Sequence, residues 1–287
     1  MTVARNLIQA LKHLPGQHPQ KSHGGGRGAK TVNSSLNGAD GKQSKLFKKF
    51  NPKDIVERYG DKFYSGEDIA EGKLRELEMA GGTQAGVASY VAGLVEYVDE
   101  ETGYGFSNIT FDEYTVDANI VDREGKAIGI INREFDHDSK VVDHTGMKLN
   151  WSDMEGKGFG SRFYHESEKA YKQAGFEAVT LNANLDVGGY AWARMGYDAQ
   201  ESSDFTSAAW SLNTQHYLKY GEFIPTEVKS NVRSMSDIAA FTGPDGQRLG
   251  KAALLGTSWL ATKNLDDNDP GYQAGIEYYR QKGVDVD

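Results

Sequence analysis

A chain of 287 residues with 32 basic and 41 acidic side chains carries a formal net charge of −9, so it lacks the general attraction that draws proteins to nucleic acid, and a nucleic-acid partner is disfavoured. The absence of cysteine excludes disulfides, thiolate nucleophiles and cysteine zinc sites. The apolar fraction of 38% falls below the usual range of about 45–50%, so part of the chain is expected to be poorly ordered, and no run approaches the length of a membrane-spanning helix.

At the N-terminus, MTVARNLIQALKHLPG is too short and too interrupted by Gln9 and Lys12 for a signal peptide, which predicts a soluble protein made in a cytoplasm. Thr2–His13 reads as a short amphipathic helix ended by Pro15 and Gly16. From Gly16 to Ser44 large apolar residues almost vanish, nothing repays the entropy of ordering, and a flexible, locally basic tail is expected. His13, His18 and His23 recur at five-residue intervals through this Pro- and Gly-rich text, a spacing that aligns no metal ligands. The wording HLPGQHPQKSHGG resembles a short segment near the N-termini of tailed-bacteriophage head-associated and other phage proteins. That resemblance implies a phage or prophage protein in the host cytoplasm or the virion, with a phage head or host protein as partner.

From Leu46 to Val98 the pattern is helical. Glu67–Met79 forms one candidate, and Val87, Tyr90, Val91, Leu94 and Val95 form the apolar stripe of another, the two separated by Gly81-Gly82. The period then changes to two. Val116, Ala118 and Ile120 alternate with polar neighbours, Asp122–Gly125 supplies a turn, and AIGIINREF follows from Ala127, predicting a hairpin with one buried face. A third strand is expected over Lys140–Leu149, with a bulge or turn at His144-Thr145-Gly146.

Next, EGKGFGSRFYHESEKAYKQAG (Glu155–Gly175) packs Gly156, Gly158 and Gly160 at the mouth of a helix that Gly175 ends, and FEAVTLNAN reads as a further strand. A strand-loop-helix-strand unit with glycines at its first turn is a place where anionic ligands bind, because bare backbone amides can approach closely and the helix start is partly positive. A Walker loop would need Lys-Ser or Lys-Thr after its last glycine, where this chain has Ser161-Arg162. The dinucleotide fingerprint would need glycine in place of Ser161. Beyond Asp198, a helix is expected over Phe205–Leu218 and a short one within Val228–Phe241. A buried element from Gly250 is expected to lead into the sheet edge, and a closing helix follows the Asp266–Asp269 cluster, which reads as a turn and helix cap.

Glu155, Gly158 and Gly160 fill the phosphate-loop pattern Q/R-x-x-G-x-G/A except for its first letter, and NLDVGGYAWARMGYD (Asn184–Asp198) is similar to the second cofactor segment of the same family. With the hairpin before them, these motifs make Tyr114–Asp198 resemble the GNAT family of acyl-CoA-dependent N-acetyltransferases. The resemblance implies an α+β fold: a mixed, mainly antiparallel sheet flanked by helices, with a flexible N-terminal tail and extra helices at both ends. The expected organisation is a tail over 1–45, a helical region over 46–105, a cofactor-binding core over 106–200 and an extension over 201–287.

It further implies acetyl-CoA as cofactor, held by Gly156, Lys157, Gly158, Phe159, Gly160, Ser161 and Arg162 together with Leu149 and Asn184, and an amine on a protein or small molecule as acceptor. Coenzyme A carries a pyrophosphate, which backbone amides at a helix start can hold without a basic side chain. Because an ammonium cannot attack a thioester, a base is needed, and Asp143, His144 and Asp153 are the candidates. The family's acid is a tyrosine four residues before the glycine that here is Gly196; Trp192 stands there, leaving Tyr190 as the substitute. Glu155 and Trp192, the two departures, fit an alternative in which the fold serves as a catalytically inert virion-associated or interaction module.

Overall fold

Strict alternation builds the centre of the molecule. In the computed structural model, which describes residues 43–149, 158–184 and 188–286, Val116, Ala118 and Ile120 are buried while Asp117 between them is exposed, and Ile128, Ile131, Arg133 and Phe135 face the same interior from the neighbouring strand. The strands are β1 (Gly105–Phe111), β2 (Thr115–Val121), β3 (Ala127–Asp136), β4 (Val141–Leu149), β5 (Ala178–Ala183), β6 (Asp198–Ala199) and β7 (Trp259–Asn264). They form one seven-stranded sheet in the order β1-β2-β3-β4-β5-β7-β6. Every neighbouring pair is antiparallel except β4 with β5, which run parallel.

The expected α+β fold, a mainly antiparallel sheet flanked by helices, is thus the observed one. Two details differ from the sequence reading. β1, in a stretch not read as a strand, pairs with β2 at the outer edge, and β7 does not lie at the edge but is inserted between β5 and the two-residue β6. The predicted Thr2–His13 helix and the tail up to residue 42 lie outside the described residues.

The helices before the sheet are α1 (Pro52–Tyr59), α2 (Glu67–Ala80) and α3 (Gly82–Glu96). Asn51 caps α1 by accepting from the Lys53 amide, with Pro52 at the first turn where its missing N–H costs nothing. The stripe of α3 meets the sheet: Tyr90 packs on Phe135 and Tyr171 at ring separations of 6.0 and 5.2 Å. Immediately before α1, Leu46 is fully buried, and Ser44 donates to the Glu166 carbonyl at 2.7 Å while its amide donates to Gln173 Oε1 at 3.1 Å. Burying one leucine contributes about 1.5–3 kcal/mol, which with these hydrogen bonds helps to hold the approach segment against the body of the molecule.

β4 and β5 are joined by α4 (Phe159–Gln173). It ends where Gly175 turns left-handed at φ 89°, with the Phe176 amide returning to the Tyr171 carbonyl at 2.9 Å, a closure that satisfies the last carbonyls of the helix. After β5 come α5 (Gly188–Arg194), α6 (Ser202–Tyr220), α7 (Thr226–Lys229), α8 (Met235–Ala240) and α9 (Leu249–Leu254), then β7 and α10 (Pro270–Gln281). Asp269 caps α10 through the amides of Gly271 and Tyr272 at 2.8 and 3.1 Å, the role expected from the aspartate cluster. Gly196, at φ 89°, lets the end of α5 lie directly on the α10 backbone at Gly271, where a β-carbon would collide. Among the described residues no helix is long and apolar enough to cross a membrane.

Candidate functional site

The parallel pair at the sheet centre is short. β4 and β5 are in register only over Val141–His144 against Ala178–Leu181; beyond that β4 continues on β3 to Leu149, and β5 continues on β7 to Ala183. The two strands therefore part inside the sheet. The facing main-chain groups of Thr145–Leu149 and of Asn182–Ala183 have no ladder partner across the gap. A bulge marks the point of parting, because Arg133 of β3 stands opposite both His144 and Thr145, its neighbours Asn132 and Glu134 pairing with Gly146 and Asp143. The expected bulge at His144-Thr145-Gly146 is there.

After β4 the described chain resumes at residue 158, at the start of α4. Gly158 is its N-cap in the left-handed region at φ 80°, and no side chain among the described residues caps the helix. The first helical bond runs from the Arg162 amide to the Gly158 carbonyl at 3.1 Å, so the preceding amides of Phe159, Gly160 and Ser161 have no acceptor within the helix. A β-carbon at Gly160 would meet nothing within 4 Å, which leaves that side of the turn open.

The side chains around this start have distinct tasks. Phe159 is core, stacked on Phe163 at 5.8 Å, so only its amide faces the turn. Ser161 lies beside Tyr278 of α10, whose ring carries the Arg194 guanidinium at 5.3 Å and the Lys282 ammonium at 5.6 Å. Arg162 grips Asp99 through Nε and Nη2 at 2.7 and 2.9 Å and reaches Glu101 through Nη1 at 2.7 Å. Leu149 ends β4 and Asn184 follows β5 as an exposed residue, so the two sit on either side of the gap. Asp153, Glu155, Gly156 and Lys157 lie outside the described residues.

Burial alone would raise the Asp99 carboxyl, yet hydrogen bonds from Arg162 and Thr102 and the guanidinium charge outweigh it and hold the group below the usual carboxylate range. A folded pKa depressed in this way gives stability that is present above the unfolded value and is lost as pH falls through the folded one. Arg162→Gln should cost about 1–3 kcal/mol near pH 7 in urea unfolding, since it leaves Asp99 buried without its partner. The gap between variant and native protein should close on acidification below about pH 4. A gap that stays constant to pH 3 would contradict this account.

His144 is 6% exposed and lies at the last β4–β5 pair. Neither ring nitrogen has a hydrogen-bond partner among the described residues. Burial, then the charges of Arg133 and Lys263, hold the imidazole well below its ordinary pKa, so it is neutral at pH 7. Its ring packs on Tyr164 and Tyr171 at 5.3 and 5.6 Å. Asp143 points to the opposite face, across from Glu134; burial and that neighbouring charge push its carboxyl up, while Thr180 and Arg133 pull it back.

On the far side of the gap, Trp192 of α5 packs edge-on against Tyr164 at 4.7 Å and Tyr197 at 5.2 Å. Tyr190, half-buried, has the Lys251 ammonium over its ring at 5.9 Å. Of the predicted site residues, His144 and Leu149 lie on β4 from the last β4–β5 pair onward, and Gly158, Gly160 and Ser161 lie at the start of α4. Sequence reading missed Arg133, Tyr164 and Tyr278, none of which belongs to a motif; their only signal was a charge or hydroxyl within an otherwise apolar periodicity.

No protein-family model and no curated protein matches the chain. Among solved structures it is similar to a nourseothricin acetyltransferase (10% identity over 59% of this chain and 91% of that one, TM-score 0.30). Tetrahymena GCN5 aligns at 12% identity over 69% and 84%, TM-score 0.29. An aminoglycoside 6'-N-acetyltransferase complexed with coenzyme A aligns at 11% identity over 70% and 93%, TM-score 0.28. At these values the alignments transfer neither a residue nor a substrate to this chain.

Proposed function

We propose that the chain is an acyl-CoA-dependent N-acetyltransferase of GNAT type, moving an acetyl group from acetyl-CoA to an amine on a protein or small molecule. The parted parallel pair, with a helix start next along the described chain that no described side chain caps, carries the reading. Coenzyme A is a diphosphate joined to an extended arm with two amides and a thiol. Strand edges unpaired across the gap accept such an arm as they accept an added strand, and the amides of Phe159, Gly160 and Ser161, which have no acceptor within the helix, accept the diphosphate. Arg194 and Lys282, gathered on Tyr278 beside Ser161, supply nearby positive charge on a chain that is acidic overall. Arg162, committed to Asp99, acts by fixing the helix start.

In this reading the acceptor nitrogen attacks the thioester carbonyl, the C–N bond forms and the C–S bond breaks. The nitrogen's proton passes to a base, for which His144 is suited by its neutrality and its unpartnered nitrogens, with Asp153 and Asp143 as the other candidates. Tyr190 is the candidate that returns a proton to the departing thiolate. An inert module of the same fold, associated with a virion or host protein, is the second reading, and the packing of Trp192 against Tyr164 and Tyr197 favours it.

Calorimetric titration of the full chain with acetyl-CoA should show one site of micromolar affinity. A heatless titration of demonstrably folded protein would overturn the reading, whereas binding without transfer of labelled acetyl groups in a host lysate would point to the inert module.

A further inference from the structure

At the parting of β4 and β5 lies a buried cation without an anion among the described residues. Arg133 is 0% exposed. Its Nε donates to the Tyr171 hydroxyl at 3.1 Å, and Nη1 donates to the carbonyls of Asn132 and Gly146, each at 2.8 Å. Those three bonds fix the plane of the guanidinium, and the rings of Phe163 and Tyr164 lie 5.9 and 5.7 Å from its centre. All its acceptors are neutral. Nη2 is left with no partner among the described residues, as are both ring nitrogens of His144.

A desolvated arginine is ordinarily paired with a carboxylate or phosphate, because removing its hydration costs several kcal/mol that neutral acceptors only partly offset. Glu168, the buried glutamate on the same face of the sheet, is committed to Lys263 at 2.6 Å. The place of the guanidinium identifies what is missing. Nη1 holds the carbonyl of Gly146, two residues beyond the final pair His144–Leu181, so the group reaches the stretch of β4 where β5 has already turned away. His144 shares its two tyrosine neighbours, Tyr164 and Tyr171. A ligand entering the gap between the strands is therefore offered Nη2 of a permanent cation and the single N–H of a neutral imidazole, both without a partner among the described residues.

We propose that Arg133, assisted by His144, is the carboxylate-recognition element of this gap, and that the preferred acyl donor carries a terminal carboxylate, as in a dicarboxylic monothioester of the succinyl-CoA type, rather than a bare acetyl group. The inference rests on the acyl-transfer reading and sharpens it. The transfer is the same reaction: the acceptor nitrogen bonds to the thioester carbonyl carbon and the C–S bond breaks. The proton leaves the nitrogen, and the distal carboxylate stays unchanged against Nη2.

The test is a set of calorimetric titrations of the full chain with coenzyme A, acetyl-CoA and succinyl-CoA. Succinyl-CoA should bind at least tenfold more tightly than acetyl-CoA, about 1.4 kcal/mol. Arg133→Met should abolish that preference while leaving coenzyme A itself bound within a few-fold. If that variant fails to fold, the native ratio of the two thioesters decides alone, with His144→Asn as the second variant, expected to narrow the ratio. Equal affinity for both thioesters in a native protein that binds coenzyme A overturns the carboxylate proposal and leaves the acyl-transfer reading standing. Failure of all three to bind the folded chain overturns both.

Discussion

Lys263→Met is expected to lower the unfolding free energy by about 3–5 kcal/mol at pH 7, because it strands a buried carboxylate. Lys263 Nζ lies 2.6 Å from Glu168 Oε2, and the two side chains are 0% and 1% exposed. The other carboxylate oxygen accepts from Tyr279 at 3.0 Å and Tyr197 at 3.3 Å, and the ammonium sits among the rings of Tyr197, Tyr272 and Tyr279 at 5.2–5.6 Å. This cluster ties α4, β7, α10 and the end of α5 to one another. Burial pushes the Glu168 carboxyl up, while Lys263 and the two tyrosine hydroxyls pull it back.

Removing Lys263 deletes the largest opposing influence, so Glu168 in the variant protonates more readily still. A carboxyl raised above its unfolded value favours the fold below about pH 4.3 and loses that contribution as pH rises through the folded value. The penalty in Lys263→Met should therefore be small near pH 4 and grow toward neutrality, as read from urea unfolding followed by circular dichroism. The double variant Glu168→Leu/Lys263→Met should recover most of the loss, since two apolar groups of similar volume leave no charge behind. A penalty independent of pH, or a double variant as weak as the single, would remove the ion pair from this role.

What the sequence made legible was local. The β2–β3 hairpin followed from Val116, Ala118 and Ile120 around a turn at Asp122–Gly125, and the helix start followed from glycines where the backbone must turn left-handed at Gly158. β1 escaped because its period is broken: Asn108 sits at φ 49° and the register to β2 shifts between Ser107 and Thr110, so Phe106, Ile109 and Phe111 do not alternate cleanly. β7 escaped placement because its partner β5 lies about 80 residues upstream, with α5–α9 between, and nothing local in WLATKN says where a strand inserts.

The site was legible to the same degree. Its backbone features are encoded by neighbours in sequence, whereas Arg162 reads as a phosphate ligand until Asp99, 63 residues earlier, is seen to hold it. Arg133 and Glu168 carry the same lesson, because a charge inside a strand or helix pattern looks like surface until the fold buries it. The alternating text REFD around Arg133 does place its side chain on the face of Ile131 and Phe135. Only the packing of α4 on that face shows that the side chain is buried.

Gly160→Asp should separate stability from binding more sharply than any other single change. Residue 160 is the second residue of α4, its side-chain direction is open, and an aspartate in a first turn favours the helix by about 0.3–1 kcal/mol. The melting temperature should therefore hold or rise. The same carboxylate would stand where the diphosphate of coenzyme A meets the amides of Phe159, Gly160 and Ser161, and like-charge repulsion in a partly desolvated turn should weaken coenzyme A by at least about a hundredfold, roughly 2.7 kcal/mol. Gly160→Ala is the control: it adds a methyl group that meets nothing, improves helix propensity by up to about 1 kcal/mol, and should leave affinity within a few-fold. Because the aspartate acts through charge at a turn that is only half-buried, part of the lost affinity should return as salt is raised. Undiminished binding to Gly160→Asp would mean that the diphosphate does not lie on this helix start, and the acyl-transfer reading would lose its anchor.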